Sequence, residues 1–152
     1  MKTLWIALGL CGLAAPALAQ DAPTGDAAAG EEIFGQCQTC HVVVDPEGNT
    51  LAGRNARTDP ILYSVAGGPA GSDEGFRYSE GLTAAREGGL VWDEASFVGY
   101  VQDPTGWLRE HLGDPRARGK MTYRLRDEVD ARDVYAYIAS LGGAEGEAAP
   151  TN

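Results

Sequence analysis

The chain has 152 residues, with 12 Lys+Arg against 22 Asp+Glu and a formal net charge of −10. At roughly 150 residues per domain this is a single domain, which excludes a cofactor fold joined to a separate substrate fold, and the acidity excludes nucleic acid as the main partner. Its 21 glycines are about twice the usual ~7% while the apolar fraction is ordinary, so a loop-rich globular domain is expected, and one this small needs something extra in its core.

The first segment reads as a secretory leader: Met1 and Lys2 give a positive start, Leu4–Leu13 is apolar, and Ala17-Leu18-Ala19 is a small-residue cleavage signal. The apolar run is shorter than the ~20 residues needed to cross a bilayer, so stable membrane insertion is not expected. Leu10 before Cys11 is not the small residue of a lipoprotein-type site. The expected layout is residues 1–19 as signal peptide, 20–26 as polar leader, 27–142 as the folded domain and 143–152 as a disordered tail. After residue 19 the chain holds two Cys, two His, one Met, one Lys and ten Arg.

In the mature chain, Asp26 caps a helical pattern through Ala27–Cys37, with Glu31 and Glu32 near its positive end. From Val42 to Leu90 Gly and Pro punctuate the chain and no sustained periodicity appears. So long an irregular stretch counts against a compact domain unless it wraps something that supplies the core. Helical spacing returns over Trp92–Gln102, with Phe97, Tyr100 and Val101 on one face and Asp93-Glu94 in the first turn. Asp103-Pro104 ends it, and Pro104 suits the first position of a short helix through Leu112. Gly113–Thr122 is a charged loop. The strongest pattern is Asp127–Leu141, where Val134, Tyr137, Ile138 and Leu141 fall on one stripe and Gly142-Gly143 stops it.

The chemistry lies in Cys37-Gln38-Thr39-Cys40-His41. Residues three and four apart at a helix end share a face, so two thiols can add to the two vinyl groups of a haem while the adjacent imidazole binds its iron. A thioredoxin-like redox pair would want a βαβ context that is absent here. A structural zinc site would want a second pair of ligands. A disulfide across two residues would leave His41 unexplained. Export favours haem as well, because c-type attachment takes place outside the bacterial inner membrane.

The sixth iron position has two further candidates. Met121 sits in the polar loop Gly119-Lys120-Met121-Thr122-Tyr123, a poor place for a core residue and a good one for a ligand. His111 lies on the short helix with Leu108 and Leu112 and also reads as a rim histidine. Met/His ligation raises the potential and leaves no vacancy for oxygen or peroxide, which points to electron transfer and away from an enzyme.

Cys37–His41, Gly30 with Phe34, Trp92-Asp-Glu, Tyr100, Asp103-Pro104, Lys120-Met121-Thr122-Tyr123 and Val134 with Tyr137 stand in an order that resembles class I cytochromes c. The long segment between Pro104 and Met121 is similar to the soluble bacterial cytochrome c2 type. The resemblance covers Ala27 to Leu141. It implies an all-α fold in which the first and last helices cross around one covalently attached haem c, with Gly30 permitting the close approach and Phe34 packing on Val134 and Tyr137. It also implies thioethers from Cys37 and Cys40 and axial iron ligands His41 and Met121. Pro60 matches the proline whose carbonyl accepts the ring N–H of the haem histidine. Trp92 and Tyr78 match residues that hydrogen-bond the propionates, and Tyr100 one that lies near the methionine sulfur. For each aromatic, plain core packing is the alternative.

Two departures stand out. Around Pro60 the family reads Gly-Pro-x-Leu-x-Gly, whereas this chain has Asp59-Pro60-Ile61-Leu62-Tyr63-Ser64. Gly68 occupies a position where the family often has an arginine paired with a propionate, so Arg77 or Arg54 is expected to substitute, or the pocket to be wetter. Family members dock through lysines around the haem edge, and the mature chain has one. Its charge is still uneven: Asp21–Thr50 carries six acids and no base, while Arg109, Arg116, Arg118, Lys120, Arg124 and Arg126 bracket Met121 against Glu110 and Asp114. The implied function is a monomeric periplasmic shuttle of single electrons. Its partners would be a cytochrome bc1-type quinol-oxidising complex and an oxidase, reductase or photosynthetic reaction centre. Alternatives are a haem subunit of a periplasmic dehydrogenase, or a sensor or peroxidase-like protein with an open sixth site.

Overall fold

The computed structural model describes residues 22–54 and 58–142. The expected signal peptide and disordered tail lie outside the described residues. The order of elements is α1 (Ala27–Phe34), β1 (Val43–Val44), β2 (Thr50–Ala52), α2 (Glu80–Glu87), α3 (Glu94–Gln102), α4 (Pro104–Leu112) and α5 (Glu128–Ser140).

The first helix begins where its cap dictates: the Asp26 carboxylate accepts the Ala28 and Ala29 N–H groups at 2.8 and 3.3 Å. It ends at Phe34 rather than at Cys37, because from Gly35 onward N–H groups bond three residues back, as Gln36 N does to Ile33 O at 3.0 Å and Cys37 N to Phe34 O at 2.8 Å. That tightening carries the Cys37–His41 segment off the helix axis, and His41 N closes on Cys37 O at 2.9 Å. The cysteine motif therefore occupies a turn beyond the helix, not its last turn.

α1 packs across α5 at Gly30. A Cβ at Gly30 would stand 2.0 Å from Asp133 O and 2.9 Å from Tyr137 Cβ, so only a bare backbone allows this crossing. Phe34 is fully buried and its ring lies 5.4 Å from that of Tyr137. Asp133, itself buried, accepts the Asp26 N–H at 2.7 Å and ties the start of α1 to α5. Gly30→Val is expected to destabilise the holoprotein by about 3 kcal/mol or more, the upper range for overpacking, measured by denaturant unfolding; an unchanged midpoint would refute the crossing.

The stretch from Val42 to Leu90 contains more regular structure than its sequence suggests. β1 and β2 pair antiparallel, Val43 opposite Ala52, around a turn in which the Asp45 carboxylate accepts the Asn49 backbone N–H at 2.7 Å and its amide at 2.8 Å. Strands of two and three residues are too short to show alternation. α2 is eight residues long, capped by Ser79 and burying only Gly81, Leu82 and Ala85, so it offers one short apolar stripe. The signals present were Ser79, Glu80 in the first turn and Gly88-Gly89 after the end.

α3 starts two residues later than its apolar pattern, since Asp93 is the cap and accepts from Ser96 N at 2.7 Å. Trp92 is thereby left in the connecting segment, where its N–H meets Gly68 O at 2.8 Å and its carbonyl accepts from Gly67 N at 2.9 Å. α4 opens on Pro104 and stops at Gly113 with φ +62°. Among the described residues the hairpin is the sole sheet, so the fold is helical with long connecting loops.

Candidate haem cleft

The loop-rich half and the helices form a cleft of which about 110 Å³ is enclosed, the rest opening to solvent at the mouth. Leu62, Val65, Leu82, Phe97, Val101 and Ile138 are among its apolar lining residues. Of the residues expected from sequence, Cys37, His41, Pro60, Tyr78, Trp92, Tyr100 and Met121 all open on this one space. Cys40 is half-buried beside Asp59, a lining residue, and does not itself line the cleft. His111 is elsewhere: it is exposed on α4, stacked on Trp107 with ring centres 4.5 Å apart and 11° between planes. The structure removes it as a candidate sixth ligand.

His41 Nδ1 lies 2.9 Å from Pro60 O. A carbonyl only accepts, so the ring proton belongs on Nδ1 and Nε2 keeps a free lone pair. The Leu62 N–H donating to Val42 O at 2.9 Å fixes the two segments against each other. Met121 is half-buried on the core, in a loop secured on both flanks. Gly119 N donates to Thr105 Oγ1 at 3.2 Å and Leu125 N to Val101 O at 2.9 Å. The Tyr123 hydroxyl reaches across to Gln36 and joins the methionine loop to the cysteine turn.

Burial, then the neighbouring Cys40, pushes the Cys37 thiol up to about 11. Burial also raises Cys40, helped by its bond to Asp59. Redox Cys-x-x-Cys pairs work through a lowered pKa, so this environment is the reverse of theirs. Burial, with the nearby Tyr78 and Asp59 charges, lifts Tyr100 to about 12, so its hydroxyl stays protonated. Tyr78 Oη accepts the Asp73 N–H at 3.1 Å, which leaves its own proton for another acceptor. Trp92 is buried, 5% exposed, and its ring borders the cleft.

These features suit a haem. The walls are mostly apolar, the imidazole has one bare nitrogen, a thioether faces the same space, the thiols are at its edge, and the Tyr78 and Trp92 side chains border it. Sequence reasoning missed several wall residues. Asp59 and Tyr123 enter the sequence reading only as neighbours of Pro60 and Met121, and Phe76 not at all, because irregular segments carry these ordinary residue types to the cleft.

The basic segment is less positive than its composition. Arg124 pairs with Asp103 at 2.8 Å and exposed Arg116 lies 3.6 Å from Asp114. Lys120 spans the mouth, 5.1 Å over the Phe76 ring and donating to the Arg77 carbonyl.

The fold and the cleft together define a class I c-type cytochrome. No protein-family model matches the chain. It is 63% identical over 119 residues to cytochrome c2 of Rhodovulum adriaticum, covering 78% of this chain and 94% of that protein. It is 54% identical over 129 residues to cytochrome c2 of Cereibacter sphaeroides, covering 84% and 87%. The crystal structure of cytochrome c2 from Rhodobacter sphaeroides superimposes with a TM-score of 0.74 at 53% identity, covering 76% of this chain and 95% of that one. The chain belongs to the cytochrome c2 family: it is a c-type cytochrome whose cofactor is one covalently attached haem c, and an electron carrier. Among the described residues no helix is long and apolar enough to cross a membrane.

Proposed function

We propose that the protein is a soluble periplasmic cytochrome that shuttles single electrons between respiratory or photosynthetic redox complexes, with no catalytic activity of its own. The observation that carries this reading is that His41 and Met121 open on the same apolar cleft, with the Cys37–Cys40 turn at its edge. When bound, the haem iron supplies one-electron exchange between its ferrous and ferric states. Cys37 and Cys40 hold the group through thioethers. The Pro60 carbonyl fixes the tautomer and orientation of His41 and strengthens Nε2 as a donor to iron. Met121 would be the second side-chain ligand to the iron, and the bonds that secure its loop hold the sulfur in place. With both positions filled by side chains, oxygen and peroxide find no vacancy, which favours a carrier over an enzyme or sensor. Tyr78 and Trp92 would donate their O–H and N–H groups to the propionates, and Tyr100 shares the cleft with Met121.

Residues 1–19 direct export and are removed, leaving Cys37 and Cys40 as the thiols of the mature chain. The donor is a cytochrome bc1-type complex that oxidises quinol, and the acceptor an oxidase, reductase or reaction centre. Lys120 and Arg77, exposed at the mouth of an otherwise acidic molecule, steer that mouth onto an acidic surface. Lys120→Glu is expected to slow electron transfer to a purified acceptor complex several-fold at low salt and to converge with wild type at high salt. A salt-independent rate would refute this docking, and the reduction potential of the variant serves as the control for its site. A native size-exclusion profile at the mass of a monomer is expected, whereas co-elution with a dehydrogenase would favour the bound-subunit alternative.

A further inference from the structure

Position 68 holds no cation and has no room for one: a Cβ on Gly68 would stand 1.8 Å from the Ser64 carbonyl oxygen. Neither of the two arginines expected to substitute reaches the cleft. Arg54 and Arg77 are both exposed, and neither side chain is part of its wall. A third arginine, Arg86, is likewise exposed and outside the lining, but its side chain is bonded to a lining residue. Arg86 projects from the last turn of α2 and donates from Nη1 to the Gly71 carbonyl at 2.7 Å. Its stem lies along the same wall, since a Cβ on Gly71 would meet Arg86 Cδ at 3.4 Å and Tyr78 Cδ2 at 3.5 Å. Gly71 and Tyr78 are both lining residues, so the guanidinium stands one layer behind the wall at the end of the cleft that Tyr78 occupies. Among the described residues no carboxylate forms an ion pair with it.

We infer that Arg86 supplies the positive charge for the carboxylate end of the bound haem, in place of the side chain that position 68 cannot hold. The inference rests on the haem reading of the cleft. A carboxylate brought against apolar walls needs a cation and hydrogen-bond donors to stay ionised. Tyr78 Oη, its lone pair already engaged by Asp73 N–H, provides one donor proton. Arg86 provides the charge, and four of its five N–H groups remain beyond the one given to Gly71. A guanidinium is always charged and more weakly hydrated than an ammonium, which suits a position behind a wall. Arg86 acts on the cofactor as a positioning and electrostatic residue: its charge favours the reduced, less positive centre.

The test is a redox titration of holoprotein at neutral pH and low salt for wild type, Arg86→Gln, Arg86→Met and Arg86→Lys. Arg86→Met keeps an apolar stem on Tyr78 and removes only the charge, so it stands in where Arg86→Gln accumulates poorly. The expected result is a negative shift of the potential in both neutral variants, with Arg86→Lys restored toward wild type. Unshifted neutral variants overturn the inference, even when thermal unfolding shows that the bond to Gly71 stabilises the loop. An alkaline pyridine spectrum of the wild type separates the two levels: absence of covalently bound haem there would overturn the cytochrome reading itself, whereas haem present with an unshifted potential overturns only the role of Arg86.

Discussion

Met121→Ala is expected to lower the reduction potential by about 0.2 V, a fraction of the roughly 0.8 V over which axial ligands set haem potentials. It is also expected to abolish the red-edge absorption band of ferric iron bonded to methionine sulfur, and to admit carbon monoxide to the reduced iron. The physical reason is local. Apart from Cys37, which the haem engages through its thioether, Met121 is the one sulfur donor that lines the cleft. His111 cannot replace it, because its ring is stacked flat on Trp107 outside the cleft. A variant with an unchanged potential and an intact band would mean that the sulfur is not the ligand. The fold itself is expected to survive, since Gly119, Leu125 and Tyr123 anchor the loop by bonds that do not involve the thioether.

The second large effect concerns the chain before haem attachment. Cys37→Ala combined with Cys40→Ala, expressed as apoprotein, is expected to lose most tertiary structure and any cooperative thermal transition. The enclosed part of the cleft is about 110 Å³. At ~24 cal/mol per Å³, leaving that space void costs about 3 kcal/mol, a large share of a total stability of roughly 5–15 kcal/mol for such a domain. The lining residues Leu82, Phe97, Val101, Val134 and Ile138 are drawn from α2, α3 and α5, so those helices lose their common contact together. Near-UV circular dichroism and a thermal scan check this. A sharp transition in the apoprotein would show that the protein walls alone make a sufficient core.

How much of this was legible in the sequence follows from which signals are local. α3, α4 and α5 carry caps and apolar stripes, and Asp93, Asp103 and Asp127 mark their starts. α1 was legible at its beginning and not at its end, because the switch to three-residue bonding at Gly35 leaves no trace in an apolar pattern. α2 and the hairpin were hidden for the reason that they are short and half-exposed. In the site, Cys37, His41 and Met121 stood out as rare residue types in a glycine-rich chain. Asp59, Tyr123 and Arg86 did not, since an acid, a tyrosine and an arginine acquire their roles here only from where irregular backbone and one short helix bring them. The loss of a side chain at position 68 is visible in the sequence, whereas the expected substitutes Arg54 and Arg77 are not the arginine whose side chain bonds to the cleft wall.

Met121 is the one methionine beyond residue 19, so the thioether can be watched alone. The most direct measurement is a carbon-correlated proton NMR spectrum of reduced holoprotein labelled at the methionine methyl carbon. A methyl group bonded through sulfur to haem iron sits over the porphyrin ring, whose ring current displaces it far upfield of every other methyl. One strongly upfield-shifted methionine methyl signal is predicted. A single signal at the ordinary position of an unbound thioether would contradict the His41 and Met121 ligation on which the account depends.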